Sequence, residues 1–396
     1  MFGVNNDNIV KIRREIHEYP ELDFDMEKTL SVVKRELDKI GLEYTEKYGK
    51  GSLVAYINPE KTNFTIGIRA DMDALRIQEL TDVPFKSKID GRMHACGHDA
   101  HTAILVETAR VLKSMENEIN CRVKLLFQPS EEGMKSGSMV MIENGVLDDV
   151  DIITGLHVGN GIDSGCLGVC SGESYASSRH FDIEIEGKSA HAAAPQTGID
   201  ALAIAFRLYS AIQLVLSREV SPLERYLCQI GKLEAGTSQN VVAANAHMRG
   251  TIRAFKVEIS NLIWSRIEQI AQSLAQETGA KIKTHGPLKS VCVYNNPYLC
   301  ERLNETMKKV VGEGNIRPRK PSMGSEDFSR YSEKIPGVFF GLGTRNEAEG
   351  CTTPVHNEYF KMDDSKLSVG VETFVQFVID NQNGLDMKKV KDSEDR

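Results

Sequence analysis

The stretch "MHACGHDAHTA", residues 93–103, brings His94, Cys96, His98, Asp99 and His101 close together. Such a set admits three chemistries: half of a disulfide, a thiol nucleophile beside a base, or a metal site. Further donors stand in three other segments: Glu131 and Glu132 in "QPSEEG", His157 in "IITGLHV", and His356 in "TTPVHNEYF". Thiolate, imidazole and carboxylate are the ligand types of zinc and neighbouring divalent metals, and the C-G-H spacing lets both side chains turn towards one centre. Adjacent carboxylates repel, so the Glu131–Glu132 doublet suits a place where cations compensate it or one member is protonated. A metal site does this, taking one carboxylate as ligand and leaving the other to work on water. Cys96, His98, Glu132, His157 and His356 are too many ligands for one tetrahedral ion. Either the thiolate bridges two ions roughly 3.5–4 Å apart, or one of the residues is not a ligand; two ions is the favoured reading. Taken singly, His157 and His356 read as structural histidines, Asp99 as a helix cap, and His94 and His101 as supporting or surface residues. Their company is what raises His157 and His356.

These residues need elements to position them, and the first part of the chain alternates strand and helix patterns. "NDNIVKIRREIHE", "DMEKTLSVVKRELDKIG" and "HTAILVETARVLKSM" repeat apolar positions at helical spacing, whereas "SLVAYIN", "FTIGIRADMD", "VKLLFQPSEEG" and "VDIITGLHV" are short β-branched runs ending in polar residues. That alternation predicts a mostly parallel sheet covered on both faces, with the functional crevice beyond the carboxyl ends of its strands. Asp71 and Asp73, the glutamate doublet and His157 all fall at such ends. Between about 178 and 288 the pattern changes to β-α-β-β-α-β, the split motif of ferredoxin-like domains. The expected organisation is therefore 1–177 and 289–396 as the two parts of an α/β domain, with 178–288 inserted. The polar tail "NQNGLDMKKVKDSEDR" is expected to fray.

Composition sets the outer bounds. A chain of 396 residues exceeds what one hydrophobic core spans, and 41% hydrophobic with 26% charged residues is a globular mixture. Forty-eight basic against 56 acidic side chains, a net charge of -8, leave no basic stripe for nucleic acid; "RPRK" at 317–320 reads as a solvated loop. No signal-peptide pattern and no uninterrupted apolar run of ~18 residues is seen, so a cytoplasmic protein without membrane partners is expected. The eight cysteines lack paired spacing, which fits a reducing compartment; all but Cys96 read as small apolar packers.

The motifs "RADMDAL", "MHACGHDAH", "QPSEEG", "GLHVG", "GKSAHAAAP", "SQNVV", "GTIRAF", "GSEDF" and "TPVHNE" occur in this order over nearly the whole chain. In this the chain resembles the metal-dependent aminoacylase and carboxypeptidase superfamily, and within it the hippurate hydrolases and plant auxin-conjugate amidohydrolases. The resemblance implies an α/β metallopeptidase-type catalytic domain with an inserted lid or dimerisation domain, and a homodimer or higher homo-oligomer. It implies two divalent ions per subunit, zinc, manganese, nickel or cobalt, held by Cys96, His98, Glu132, His157 and His356, with Glu131 as general acid and base. It points to His191 as oxyanion stabiliser, often acting in a partner's site, and to Asn240 and Arg253 as substrate-binding residues, the guanidinium suiting a carboxylate. Two departures stand out: Arg69 occupies the place where related peptidases carry a histidine ligand, and Gln196 the place of a second histidine after "HAAAP". Asp71 and Asp73 are accordingly expected to support ligands rather than to bind metal. "GSEDF", with Glu326 and Asp327, is expected near the site.

The resulting expectation is hydrolysis of the amide bond of an N-acyl amino acid by metal-activated water. The rival readings are a dipeptidase or carboxypeptidase, a hydrolase with Cys96 as nucleophile and His98 as base, and a dimer with a purely structural metal. Thiol catalysis leaves His157 and His356 unexplained, and a structural site has no use for Glu131.

Overall fold

In a computed structural model of the chain, residues 2–393 are described. They divide into two compact units, one comprising the chain up to 174, 294–320 and from 327 onward, the other 175–293 and 321–326.

The first unit is built on a seven-stranded sheet. Its strands are β1 (Tyr44–Thr45), β2 (Leu53–Ile57), β3 (Thr65–Asp71), β4 (Arg122–Gln128), β5 (Ile152–Asp163), β6 (Leu167–Val169) and β7 (Gly337–Arg345). They lie in the order β1-β2-β4-β3-β5-β7-β6. The central β4, β3, β5 and β7 run parallel, while β1, β2 and β6 are antiparallel to their neighbours, so the sheet is mixed. Every residue of β3 is buried, as befits a strand covered on both faces. Helices α1 (Asn6–His17), α2 (Glu27–Lys39), α3 (His98–Ser114), α4 (Pro297–Val311) and α5 (Ser368–Asn381) supply apolar faces to one continuous core that includes Ile12, Val33, Ile104, Leu303 and Phe374.

Four local expectations are corrected. Helix α3 begins at His98 rather than His101, because Gly97, at φ 90°, turns the chain directly into the helix. A Cβ at Gly97 would run into Val158 and Met362, so this entry needs glycine. Gly97 is also the cap, with no side-chain cap bond, and Asp99 instead joins Arg13 and His17. Strand β5 continues well past His157, since its register with β7 extends to Asp163 and Arg345. The described part of the tail is docked: Met387–Asp392 is helical, Asp386 caps it, Val390 is buried, and Asn296 Nδ2 donates to the Val390 carbonyl at 2.8 Å. Only residues 394–396 of that segment lie outside the described residues.

The second unit has the strands Ser177–Glu186, Tyr226–Ala235, Asn245–Ala254 and Lys281–His285, antiparallel and in the spatial order fourth, first, third, second. Helices Ala201–Arg218 and Val257–Thr278 fall between them in a β-α-β-β-α-β sequence. The unit has its own core, including Phe181, Leu208, Ile212, Met248, Trp264 and Ile267. Ala201–Arg218 is long and apolar enough to cross a membrane by length and composition. Here one face, including Ile204, Leu208 and Ile212, is buried in that core, while Phe206 and Leu214 are exposed.

Candidate active site

Four loops and strands of the first unit bring Cys96, His98, Glu131, Glu132, His157 and His356 together at the carboxyl ends of the parallel strands. The donor atoms lie within 4.8 Å of one another in each of three overlapping sets: Cys96, His98 and His157; Cys96, Glu132 and His356; and His98, Glu131 and Glu132. Cys96 Sγ stands 3.3 Å from His157 Nε2 and 3.3 Å from His356 Nε2, and His356 Nε2 is 2.9 Å from Glu132 Oε1. Cys96 thus belongs to two donor sets at once, as a bridging ligand must.

Each donor is held by a specific partner. His157 Nδ1 donates to the Val158 carbonyl at 2.6 Å, and burial takes its pKa down to about 3. The ring is therefore neutral, with its lone pair on Nε2 towards Cys96. The N–H of Val158 donates to His101 Nε2 at 2.9 Å, which leaves the His101 proton on Nδ1, donated to Asp71 Oδ1 at 2.6 Å. Burial lowers the His101 pKa as well, in keeping with a neutral ring. Asp73 accepts the backbone N–H groups of both Glu131 and Glu132 at 3.0 Å, fixing the doublet from below. Glu131 Oε1 accepts the N–H of Asp327 at 3.1 Å. Ser130, just before the doublet, and His356 both adopt positive φ, 54° and 63°, a conformation that non-glycine residues keep only where surroundings impose it. The N–H of His356 donates to the carbonyl of Ala95 at 2.8 Å, tying its loop to the residue before Cys96.

Arg69, in the place of a relative's ligand, is buried and paired with Asp71 Oδ2 at 2.7 Å and Asp327 Oδ1 at 2.8 Å. It organises carboxylates instead of binding a cation. His94 is fully buried rather than at the surface, its ring 6.1 Å from that of His17, which meets Asp99 at 2.8 Å and Glu79 at 3.3 Å in a second network.

The cluster fits a cation. Both ring nitrogens of His98 are buried without a well-formed hydrogen bond, Asp73 being 3.4 Å from Nδ1 and Asp71 3.6 Å from Nε2. Burial alone would lower the His98 pKa, yet Asp71, Cys96 and Asp73 push it well above the usual value, so this spot favours positive charge. Burial, with Glu132 and Glu131 adding to it, pushes the Cys96 thiol well above its ordinary range although His98 opposes this. A nucleophilic cysteine needs the opposite shift, whereas a divalent cation among these carboxylates would deprotonate the thiol outright.

His191, Asn240 and Arg253 belong to the second unit. His191 is exposed, its Nδ1 accepting from the N–H of Ala193 at 3.0 Å. It bridges to Val241, and the N–H of Ala192 donates to the Asn240 carbonyl at 3.0 Å, so His191 and Asn240 share one exposed loop pair. Arg253 is half-buried on its strand and hydrogen-bonded to Thr251, and burial lowers its pKa.

His101, Arg69 and Asp327 are the residues whose positions around the site motif reading undervalued. The signal for His101 was its i,i+3 spacing from His98 on α3, where the two rings stack at 5.4 Å.

A mixed α/β unit with soft and hard donors gathered at its strand ends has the architecture of a metallohydrolase. The sequence profile of peptidase family M20/M25/M40 matches residues 67–380, and the chain belongs to that family, whose members hydrolyse amide bonds. It is 37% identical over 368 residues to "Thermostable carboxypeptidase 1" of Saccharolobus solfataricus, covering 92% of this chain and 93% of the relative. It is 35% identical over 372 residues to "N-acetylcysteine deacetylase" of Bacillus subtilis, covering 94% and 96%. Among solved structures it resembles a Bacillus subtilis dinuclear metal-binding peptidase of the M20 family at a TM-score of 0.80 and 32% identity, covering 94% of this chain and 97% of that one.

Proposed function

We propose that this hydrolase cleaves the amide bond of N-acyl amino acids, and that Cys96, His98, Glu132, His157 and His356 would hold two divalent ions for that reaction. Cys96, His98 and His157 would hold one and Cys96, Glu132 and His356 the other, since those triads place their donors within 4.8 Å. Bound there, the ions would supply Lewis acidity, polarising the scissile carbonyl and bringing the pKa of water towards ~7. A mixed sulfur, nitrogen and oxygen donor set suits zinc, manganese, nickel or cobalt.

Glu131 is the general base and acid. It lies within 4.8 Å of His98 and Glu132 without belonging to either Cys96 triad, and its backbone is fixed by Asp73. It takes the proton from the attacking water and returns it to the departing nitrogen, so that the C–N bond breaks with release of a neutral amine. His191 stabilises the oxyanion and Asn240 with Arg253 binds the substrate carboxylate, roles supported by the motif match and by the chemistry of imidazole, amide and guanidinium. The inserted segment acts as a lid or dimerisation domain of a cytoplasmic homodimer or higher homo-oligomer. The edge strand Tyr226–Ala235 and the exposed Phe206 and Leu214 are the kind of surface a second copy would cover.

The single observation that carries this reading is the double membership of Cys96 in two donor triads beside a spare glutamate. The likeness to a carboxypeptidase keeps dipeptide cleavage as the second reading. A panel of N-acetyl amino acids, N-benzoyl amino acids and dipeptides, offered to metal-reconstituted and to chelated protein, tests both. Preferential, chelator-sensitive release of free amino acid from N-acyl substrates is expected, and turnover of dipeptides alone would favour the second.

A further inference from the structure

The motif "GSEDF" contains a residue that hydrolysis as proposed leaves without a role. Asp327 is buried, and its carboxylate is the meeting point of three segments. Oδ1 accepts from Arg69 Nη2 of β3 at 2.8 Å and from Gln128 Nε2 at the end of β4 at 2.9 Å. Oδ2 lies 2.7 Å from Ser136 Oγ and 2.9 Å from Ser138 Oγ, at the start of the helix Gly137–Glu143. An ionised carboxylate offers about four lone-pair sites, and donors on both oxygens hold this one against rotation. Arg69 ties it to the sheet, since the same guanidinium pairs with Asp71 Oδ2 at 2.7 Å.

Gln128 and the two serines flank the loop that carries Glu131 and Glu132. That loop is folded back on itself: Gly137 N–H donates to the Ser130 carbonyl at 2.9 Å, and Ser130 Oγ to the Lys135 carbonyl at 2.7 Å. A Cβ at Gly137 would lie 1.7 Å from the Pro129 carbonyl oxygen, so glycine is what lets the two ends meet so closely. Asp327 binds both ends of this closed loop, and its own N–H donates to Glu131 Oε1 at 3.1 Å. One residue thus fixes the frame of the loop through its side chain and the tip of the glutamate through its backbone.

Such a hold matters for a base. A glutamate side chain is long and flexible, and it works only with an oxygen within about 2.6–3.2 Å of the proton's parent atom. A peptide N–H moves only with its chain, and the chain at 327 is held by Arg69, Gln128, Ser136 and Ser138.

We infer that Asp327 is a positioning residue for the reaction, aiming Glu131 at the attacking water by clamping its loop and holding its carboxylate with a backbone N–H. The inference rests on the reading of Glu131 as general base and deepens it, because the contribution of Asp327 passes through that glutamate.

The test is a double-mutant cycle between Asp327→Asn and Glu131→Gln, read as kcat, KM and bound metal. The substrate is whichever of N-acetylalanine, N-benzoylalanine and alanylalanine the wild type turns over fastest. Asp327→Asn keeps the shape but offers one acceptor oxygen in place of two. Its kcat should fall about 10- to 100-fold, with KM within about twofold and metal content unchanged. In the Glu131→Gln background the same change should cost less than about twofold, because the base it aims is already gone. A merely structural Asp327 gives another pattern: KM or bound metal changes along with kcat, or the loss is as large in the Glu131→Gln background as in wild type. Either result would overturn the inference, as would full kcat in Asp327→Asn. Should that variant fail to fold, Ser138→Ala, which keeps the Arg69 pair, decides by the same cycle. A loss of about threefold or more that vanishes in the Glu131→Gln background supports the clamp, and no loss or an additive one overturns it. Glu131→Gln with wild-type turnover refutes the general-base reading and the clamp with it, whereas an impaired Glu131→Gln with an additive Asp327→Asn refutes the clamp alone.

Discussion

Cys96 Sγ and His157 Nε2 face each other at 3.3 Å, with the His157 proton committed to the Val158 carbonyl on the opposite side of the ring. The Nε2 lone pair thus faces a buried sulfur, and His356 Nε2 stands at the same distance from that sulfur, so two imidazoles and one thiol converge on one spot. Replacing Cys96 by Ala removes the only donor shared by both triads. The expected result is a fall in bound metal from two ions per chain and a loss of about 100-fold or more in kcat/KM, comparable with the larger losses seen when a supporting residue of a metal site is removed. Metal analysis after reconstitution and gel filtration reads the first effect; full occupancy in the variant would remove Cys96 from the ligand set.

His101 supports His157 through one peptide group. Its Nε2 accepts from the Val158 N–H while the Val158 carbonyl accepts from His157, and Asp71 fixes the His101 tautomer. His101→Leu should weaken metal binding about 10- to 100-fold, measured by competition with a chelator of known affinity. His101→Gln, which can still accept from Val158, should recover part of it. Unchanged affinity in both variants would make the relay incidental.

The second network yields a pH prediction. Burial would lower the His17 pKa, but Asp99 and Glu79 outweigh it and hold the pKa above the usual 6.5. A histidine whose folded pKa is raised contributes stability that is fully present below the unfolded pKa, ~6.5, and is lost as pH rises through the folded value. His17→Gln should therefore be more destabilised relative to wild type at pH 6 than at pH 9, about 1.4 kcal/mol for each tenfold change in proton affinity. Urea unfolding of both proteins at the two pH values checks this, and a penalty that grows with pH would contradict the sign.

Motif reading reaches the residues that must be chemically particular: Cys96, His98, the Glu131–Glu132 doublet, His157 and His356 meet in space, and they are legible because few soluble chains concentrate such donors. Long amphipathic helices such as α1 and buried runs such as β3 were equally legible from periodicity. The supporting shell was not. Arg69 bridges Asp71 and Asp327 across 258 positions, a contact that neither residue's local context can announce. Helix α3 hid its first turn because His98, Asp99 and His101 are polar yet buried, against the pattern that apolar periodicity detects. Val390 docks a tail whose composition is otherwise that of a solvated segment.

The most direct test of the account is Glu131→Gln, assayed for bound metal and for hydrolysis of an N-acetyl amino acid. The side chain keeps its size but cannot take the proton from water, so two ions per chain should remain while kcat falls by about 100- to 10,000-fold. Glu131→Gln with full metal and wild-type turnover would contradict the central claim that this glutamate moves the proton in amide hydrolysis.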